Sequence, residues 1–379
     1  MNHRSKLAQR LGEGLAAQQQ AGLLRTRQVQ PQSLLDFAGN DYLGLASSQV
    51  LNTLAAEALT EVACGSGASP LVSGYCRTHQ ALEAKLCQRT GHEAALLFCS
   101  GFSANQALMK TLFSDADTVL ADKLVHASII DGLKDSGARL RRFLHNDAAS
   151  AAAMAQKQSV TALITESVFS MDGDCAPLSQ LRQLCDEQNA WLIVDDAHGF
   201  AIPRDDGGAC DSQFADVQLV TFGKALGCQG AALLGSQLFV DYMVANCRHY
   251  IYSTALSPLA AQLALSALSL VDTPIRQQPL LDNIRLFRAL CQQAGLSLLP
   301  SDTPIQPLLV GDNDTVMALA AALRQRGILV GAIRPPTVPV GSARLRITLS
   351  ARHSRQDIEY LVSVLGELLP PQSQVEPQI

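Results

Sequence analysis

The chain has 379 residues, of which 47% are hydrophobic and only 17% are charged. This composition is typical of a globular enzyme with a large core, and it excludes a disordered or fibrous chain. The net charge of −5 at pH 7 argues against nucleic acid as the main partner.

The ten cysteines are scattered along the chain without a CxxC pair, which predicts free thiols in a reducing cytosol. Glutamine, arginine and glutamate interrupt residues 1–30, so we expect no secretory signal there. No apolar stretch reaches the roughly 18 residues that a membrane span needs. We therefore expect a soluble, cytoplasmic protein with no membrane partner.

Helices and strands are predicted in alternation along most of the chain. Residues 4–24 have the pattern of an amphipathic helix, residues 36–46 begin as a strand, and residues 64–75 are rich in the glycine, serine and proline of a loop. Strands are then predicted at residues 94–99, 118–121, 160–166, 191–194 and 217–222, and helices at 105–112, 148–158 and 177–188. This βαβα rhythm predicts an α/β fold whose mainly parallel sheet is flanked by helices.

The pattern of apolar runs over roughly the last hundred residues predicts a smaller α+β domain. A long apolar helix over residues 255–271 is followed by Thr273 and Pro274, which mark a boundary. Beyond it we expect strands at residues 305–310 and 343–349, and a capping box that starts a helix at Ser354. The predicted organisation is an N-terminal arm (1–46), a large domain (47–272) and a small domain (273–379).

Two apolar runs end in residues that carry chemistry. The run at 191–194 is followed by Asp195, Asp196 and His198, and the run at 217–222 is followed by Gly223 and Lys224. Ligands of open α/β sheets bind outside the carboxyl ends of the strands. A lysine that forms a Schiff base and a carboxylate that pairs with a pyridine nitrogen are what pyridoxal phosphate (PLP) requires. Taken alone, Lys224 is equally well a surface lysine at a strand end.

The pattern leaves open which of the two aspartates faces this site, because neighbouring strand residues point to opposite sides. Asp195, Asp196 and His198 are also a possible ligand set for a divalent metal. The sequence offers no further cluster of histidine and aspartate to complete such a shell, so we expect no metal site.

A phosphate site is predicted where Gly101 and Phe102 follow a strand and open a helix. Backbone N–H groups at a helix N-terminus bind phosphate, and glycine permits a close approach. The hydroxyl of Thr221 adds a possible phosphate contact, and His126 has the chemistry to stack on a pyridine ring. A plain strand–helix turn and a surface histidine are the simpler alternatives.

Seven short motifs lie at residues 40–45, 65–67, 100–105, 126–128, 166–174, 194–199 and 221–224. They occur in the order in which the α-oxoamine synthases carry them, and the chain resembles that family over nearly its whole length. These synthases are PLP-dependent transferases of fold type I that condense a small amino acid with an acyl thioester. The resemblance implies that fold, PLP as cofactor, and a homodimer with its site between the subunits.

The resemblance also implies roles for individual residues. Lys224 would carry PLP and act as the base, Asp195 would hold the pyridine nitrogen protonated, and His126 would stack on the ring. The implied cofactor-binding set is Gly101, Phe102, His126, Ser170, Asp195, His198, Thr221 and Lys224. The implied substrate-binding set is Arg25, Asn40, His126, Thr337 and Arg346.

Four further segments, at residues 145–147, 251–254, 305–313 and 332–339, are most similar to the members of the family that serve biotin biosynthesis. They imply L-alanine and a pimeloyl thioester as substrates, with coenzyme A or an acyl-carrier protein as the carrier. Glycine C-acetyltransferase and 5-aminolevulinate synthase are the alternatives within the family. A metal-dependent hydrolase would give Lys224 no role, and a non-catalytic partner subunit would lack it.

Overall fold

The computed structural model describes residues 3–203, 210–271, 273–335 and 337–369, and the chain divides into two compact units, residues 1–34 and 35–379. The first unit contains helix α1 (His3–Gln20), followed by exposed chain. The helix predicted over residues 4–24 is confirmed but ends earlier. Gly22 has a φ of 65°, a left-handed conformation that commonly ends a helix.

The second unit contains a sheet of seven strands, which are β2 (Ala94–Phe98), β3 (Thr118–Asp122), β4 (Arg139–Phe143), β5 (Ala162–Glu166), β6 (Trp191–Asp195), β7 (Val217–Thr221) and β8 (Ala231–Gly235). Their order in space is β2-β8-β7-β6-β5-β3-β4. Strand β8 is antiparallel to both of its neighbours, and the other pairs are parallel. The mainly parallel sheet predicted from the sequence is confirmed.

A second sheet has four strands, which are β1 (Leu35–Phe37), β9 (Ile305–Gly311), β10 (Ile328–Ile333) and β11 (Ala343–Thr348). Its order is β1-β10-β11-β9, with β1 parallel to β10 and the other pairs antiparallel. The strand predicted to open residues 36–46 therefore joins a sheet formed by residues nearly 300 positions further along the chain.

The helices of the second unit are α2 (Gln49–Ala58), α3 (Arg77–Thr90), α4 (Gly101–Leu112), α5 (Ala127–Ser136), α6 (Ala148–Ala155), α7 (Leu178–Gln188), α8 (Gln237–Asn246), α9 (Arg248–Tyr252), α10 (Pro258–Val271), α11 (Pro274–Gln293), α12 (Asn313–Gln325) and α13 (Arg355–Leu368). Helix α13 begins with the predicted capping box at Ser354. The loop predicted at residues 64–75 is wrong in part, because Pro70–Gly74 form a short π-helical turn.

The seven-stranded sheet is covered on both faces, which explains why its central strands are apolar without interruption. Ile193 and Leu219 pack in one cluster with residues of α4, α5 and α8. Leu192 and Val194, which lie on either side of Ile193 along β6, pack in another cluster with residues of α6 and α7. Alternate strand residues thus enter opposite cores, as the two-residue period of a strand requires.

All ten cysteines lie within the described residues, and none of them forms a disulfide bond. Within the described residues, no single helix is both long and apolar enough to span a membrane; α10 and residues 275–293 reach that length and hydropathy only together, across a bend of 71°.

Candidate active site

The carboxyl ends of β5, β6 and β7 open into a cavity of about 730 Å³. Strand β5 ends at Glu166, β6 at Asp195 and β7 at Thr221, and the chain then reaches Lys224. All four residues line the cavity. Because these strands are parallel, their carboxyl ends lie at one edge of the sheet, where open α/β folds bind ligands.

Asp195 and Asp196 face different surroundings, as neighbouring residues at a strand end do. Asp195 lines the cavity, where its Oδ2 accepts a hydrogen bond of 2.7 Å from Nδ2 of Asn105. Asp196 is not among the lining residues, and its Oδ2 accepts a hydrogen bond of 2.7 Å from Nε2 of Gln218. The geometry therefore favours Asp195 as the site carboxylate and disfavours a shared metal site of Asp195, Asp196 and His198.

Lys224 is the one lysine among the described residues that line the cavity. Its Nζ donates a long hydrogen bond of 3.5 Å to Oγ1 of Thr221. Burial lowers the pKa of Lys224, and the charge of the nearby Asp195 carboxylate opposes that shift. A lowered pKa increases the fraction of the uncharged amine, which is the nucleophilic and basic form.

Arg346 on β11 reaches the cavity from the four-stranded sheet. Its Nε donates to the carbonyl oxygen of Ser170 at 2.6 Å, and its Nη2 donates to Oδ1 of Asn40 at 3.1 Å. A guanidinium group has five N–H donors in a fixed fork, so donors remain for an anionic ligand. Arg346, Asn40 and Ser170 all line the cavity. Their roles in ligand binding, which the family resemblance implies, stay predictions.

His198 is held in one orientation by Tyr42, whose hydroxyl oxygen lies 2.6 Å from its Nδ1. Burial and then the charges of Lys224 and Arg346 lower the pKa of His198 well below its usual value, so the ring is neutral. Burial raises the pKa of Tyr42 to about 12, against the effect of Arg346, so the phenol keeps its proton. The phenol O–H has two possible acceptors, Nδ1 of His198 at 2.6 Å and Oδ1 of Asn40 at 3.3 Å. The shorter contact favours donation to Nδ1, which places the N–H of His198 on Nε2.

The N-termini of two helices border the same cavity. Ser100 caps α4, where its side chain accepts the N–H of Ser103, and Gly101 and Phe102 form the first turn. A Cβ atom on Gly101 would lie 2.6 Å from Cγ2 of Thr221, so only glycine allows these two elements to approach so closely. The first-turn N–H groups of a helix are free to bind an anion, which suits a phosphate.

His126 caps α5 and lies beside Phe102, in the first turn of α4 that suits a phosphate. Its Nδ1 is 2.7 Å from the hydroxyl of Ser128, and its ring meets that of Phe102 edge to face at 6.2 Å between centroids. The histidine predicted to sit in a loop thus has its ring fixed by a cap and by an aromatic contact. Ser128 also accepts a hydrogen bond of 3.1 Å from Asn105, which links His126 to the partner of Asp195.

Thr337 of the predicted substrate-binding set does not line the cavity. Thr337 is exposed, and its backbone N–H donates to the carbonyl oxygen of Arg334 at 3.0 Å. Arg25 is exposed and belongs to the first unit. Their roles stay predictions. Of the segment 332–339, Ile333 lines the cavity, and Pro336 is outside the described residues.

A different acidic cluster lies beyond the cavity. Ligand atoms of His145, Asp172 and Asp174 are all within 4.8 Å of one another, a spacing that a metal ion could use. However, both ring nitrogens of His145 already contact carboxylates, at 2.9 Å to Asp122 and 2.7 Å to Asp174. Asp172 is paired with the guanidinium of Arg344. Ion pairs account for this cluster without a metal.

Comparisons with known proteins agree with this geometry. The model of the family described as aminotransferase class I and II matches residues 32–365. The 8-amino-7-oxononanoate synthase of Cellvibrio japonicus is 45% identical over 350 residues, which cover 90% of this chain and 88% of that protein. The chain belongs to the aminotransferase class I and II family.

Solved structures resemble the fold over most of the chain. The 8-amino-7-oxononanoate synthase of Francisella tularensis is 29% identical, with a TM-score of 0.77 over 89% of this chain and 98% of that one. A serine palmitoyltransferase of S. paucimobilis with a bound PLP–myriocin adduct has a TM-score of 0.86 over 97% of this chain and 98% of that one, at 22% identity. The expected fold type and the expected family cofactor, PLP, are confirmed.

Three residues of the cavity region were missed by reasoning from the sequence, namely Glu166, Asn105 and Tyr42. Each lies inside a segment that carried the family resemblance, but none was assigned a role. A signal was available for Glu166, because it ends a buried apolar strand just as Asp195 does. Asn105 had a weaker signal, as a polar residue in the apolar part of a helix, and only the fold brings Tyr42 to His198.

Proposed function

We propose that this chain uses PLP to condense L-alanine with a pimeloyl thioester, which yields 8-amino-7-oxononanoate, carbon dioxide and the free thiol carrier. The proposal depends on one observation, namely that Lys224, Asp195, His198 and Arg346 all line the same cavity. Identity of 45% to an 8-amino-7-oxononanoate synthase supports this assignment over related reactions.

The residues of the cavity fit PLP group by group. Lys224, with its lowered pKa, suits the aldehyde, and the buried carboxylate of Asp195 suits a protonated ring nitrogen. The first turn of α4 at Gly101 and Phe102, with Thr221 beside it, suits the phosphate. The N–H on Nε2 of His198 and the hydroxyl of Ser170 suit the ring oxygen.

When bound, PLP supplies an electron sink for the carbanion at the α-carbon of the amino acid. Lys224 would hold the cofactor covalently and, once released by the incoming amino acid, accept the α-proton on its Nζ. Asp195 favours the positive ring nitrogen by its charge, and Asn105 keeps that carboxylate in place through the 2.7 Å hydrogen bond. His126 would stack on the ring and limit its tilt.

Arg346 and Asn40 would hold the carboxylate of L-alanine, because the guanidinium fork matches that planar group. A bond then forms between the α-carbon and the thioester carbonyl carbon, while the carbon–sulfur bond breaks and the thiolate takes up a proton. Loss of carbon dioxide breaks the bond to the carboxylate, and a proton returns to the α-carbon. Arg25 and Thr337 are proposed to contact the acyl chain.

The wider organisation is also part of the proposal. We expect a homodimer in the cytoplasm, with an arm (1–46), a large domain (47–272) and a small domain (273–379). The thiol carrier is coenzyme A or an acyl-carrier protein, and an assay with both donors decides between them.

The test of the cofactor is a visible spectrum of the purified protein. We expect an absorption band that borohydride fixes on Lys224. A colourless protein that gains no band on addition of PLP would contradict the proposal.

The test of the substrates compares three pairs by release of free thiol: L-alanine with a pimeloyl thioester, and glycine with acetyl- or succinyl-coenzyme A. We expect the first pair to react much faster. Thr337→Ala should raise KM for the pimeloyl donor more than KM for L-alanine. If glycine with either short donor reacts faster, the substrate assignment is wrong while the PLP chemistry stands.

A further inference from the structure

Glu166 has a carboxyl oxygen without a partner inside the cavity. The residue is the last of β5, its side chain lines the cavity, and it is only 3% exposed. Among the described residues no hydrogen-bond partner is found for its Oε1. Buried polar atoms are nearly always hydrogen-bonded, so an unpaired carboxyl oxygen that lines a ligand cavity indicates that a ligand supplies its partner.

The surroundings of Glu166 decide its charge. It lies opposite Asp195 in the register of β5 and β6, so two carboxyl groups sit side by side at one sheet edge. Burial, and then the charge of Asp195, raise the pKa of Glu166 well above its ordinary value, whereas Lys224 and the backbone N–H of His126 lower it. Asp122 on β3 adds a smaller effect in the raising direction. These surroundings favour the protonated, uncharged form of Glu166.

The unpaired oxygen then becomes a donor. The N–H of His126 donates to the carboxyl group, so one oxygen acts as an acceptor. In a protonated carboxyl group the other oxygen carries the hydrogen, and that oxygen needs an acceptor. A negatively charged ligand group this close to Asp195 would be repelled by an ionised Glu166, but it is attracted by an O–H donor.

We infer that Glu166 is a ligand-binding residue that acts as an uncharged carboxylic acid and donates its O–H to an anionic oxygen of the bound ligand. This inference rests on the proposed function. Two ligand groups have the required chemistry, namely the ring oxygen of PLP and the carboxylate of the amino-acid substrate. Separate binding measurements for the two ligands distinguish them.

The charge is tested on the protein without cofactor, by its melting temperature between pH 5 and pH 9. The folded state keeps the proton of Glu166 while the unfolded state releases it, so the melting temperature of the wild type falls as pH rises. Glutamine has no such proton to release, so we expect the melting temperature of Glu166→Gln to fall less steeply as pH rises. An unchanged pH dependence in Glu166→Gln would overturn the inference, and this outcome does not depend on PLP.

The donor is tested by titrating PLP into the unloaded protein and L-alanine into the loaded one. Glu166→Gln keeps an uncharged donor, so we expect both affinities within about threefold of the wild type. Glu166→Leu has no donor, and loss of a hydrogen bond to a charged group should weaken binding of one ligand by about ten- to hundredfold. The weakened ligand identifies the acceptor.

The matched control is Asp122→Asn, at the end of the neighbouring strand β3. Asp122 is fully buried but does not line the cavity, and its oxygens accept hydrogen bonds from Leu124, His145 and Asn146. We expect it to change stability and to leave the affinity for PLP unaltered. Equal affinities in Glu166→Leu and the wild type, or an equal loss in Glu166→Gln and Glu166→Leu, would overturn the inference. If the wild type itself binds no PLP, the proposed function fails instead.

Discussion

His145 should make the stability of this protein depend on pH in the alkaline range. Burial alone would lower the pKa of His145, but its contacts with Asp122 and Asp174 outweigh burial and raise the pKa to about 10. Asp122 is 1% exposed and lies at the end of β3, and Asp174 lies in the loop that follows β5. The protonated ring therefore ties that loop to the seven-stranded sheet.

The size of the effect follows from this shift. A rise of the His145 pKa from 6.5 to about 10 corresponds to about 5 kcal/mol of stabilisation, at about 1.36 kcal/mol per pKa unit. Solvent screening reduces this figure, because the His145 side chain is 24% exposed. The folded state holds the proton up to about pH 10 and the unfolded state only to about pH 6.5. The stabilisation is thus complete below pH 6.5 and is lost as pH rises towards 10.

The assay is urea unfolding of the protein without cofactor at intervals from pH 6 to pH 10.5. The difference in unfolding free energy between the wild type and His145→Gln should be largest near pH 6 and shrink by up to about 1.4 kcal/mol per pH unit above 6.5. His249→Gln is the matched control, since His249 is exposed and contacts the hydroxyl of Ser253. A difference that stays constant from pH 6 to pH 10 would refute the reasoning.

Three further substitutions, with Asp196→Asn as a control, test the site itself. Lys224→Ala should still bind PLP, but borohydride should fix none of it and turnover should fall by orders of magnitude. Asp195→Asn should weaken PLP binding by about ten- to hundredfold, since a hydrogen bond to a charged group contributes roughly 1.5–3 kcal/mol; Asp196→Asn, which alters a carboxylate outside the cavity lining, should not. Gly101→Ala should weaken PLP binding because its Cβ would meet Thr221 at 2.6 Å, and retained affinity, measured by equilibrium dialysis, would contradict the phosphate assignment.

The alternation of helices and strands was predictable because the seven-stranded sheet is buried on both faces. Such strands are short apolar runs, and the run at 191–194 needed only one more residue, Asp195, to match β6. The antiparallel placement of β8 was not predictable, because an apolar strand shows no direction. The π-helical turn at Pro70–Gly74 was missed because its composition equals that of a loop.

The candidate site was predictable where reactive side chains stand at or just after the end of an apolar strand, as Asp195 and His198 do for β6 and Lys224 does for β7. The strand pattern alone did not decide between Asp195 and Asp196, since that depends on which face of the strand end opens into the cavity; the family resemblance implied Asp195. Tyr42 was out of reach, because its contact with His198 joins residues 156 positions apart. Pairwise contacts at such separation leave no local pattern in a single sequence.

The site depends on two sheets, and the loop after β5 is one of the segments that link them. Lys224 follows β7 of the seven-stranded sheet, whereas Arg346 belongs to β11 of the four-stranded sheet. The loop after β5 joins them, because the carbonyl oxygen of Ser170 accepts from Arg346 and that of Gly173 accepts from the hydroxyl of Ser301. The other end of this loop is held by the ion pair of His145 with Asp174. This loop thus helps to set the position of Arg346 relative to Lys224. Breaking the ion pair at Asp174, which does not line the cavity, should therefore raise KM for L-alanine more than it weakens PLP binding.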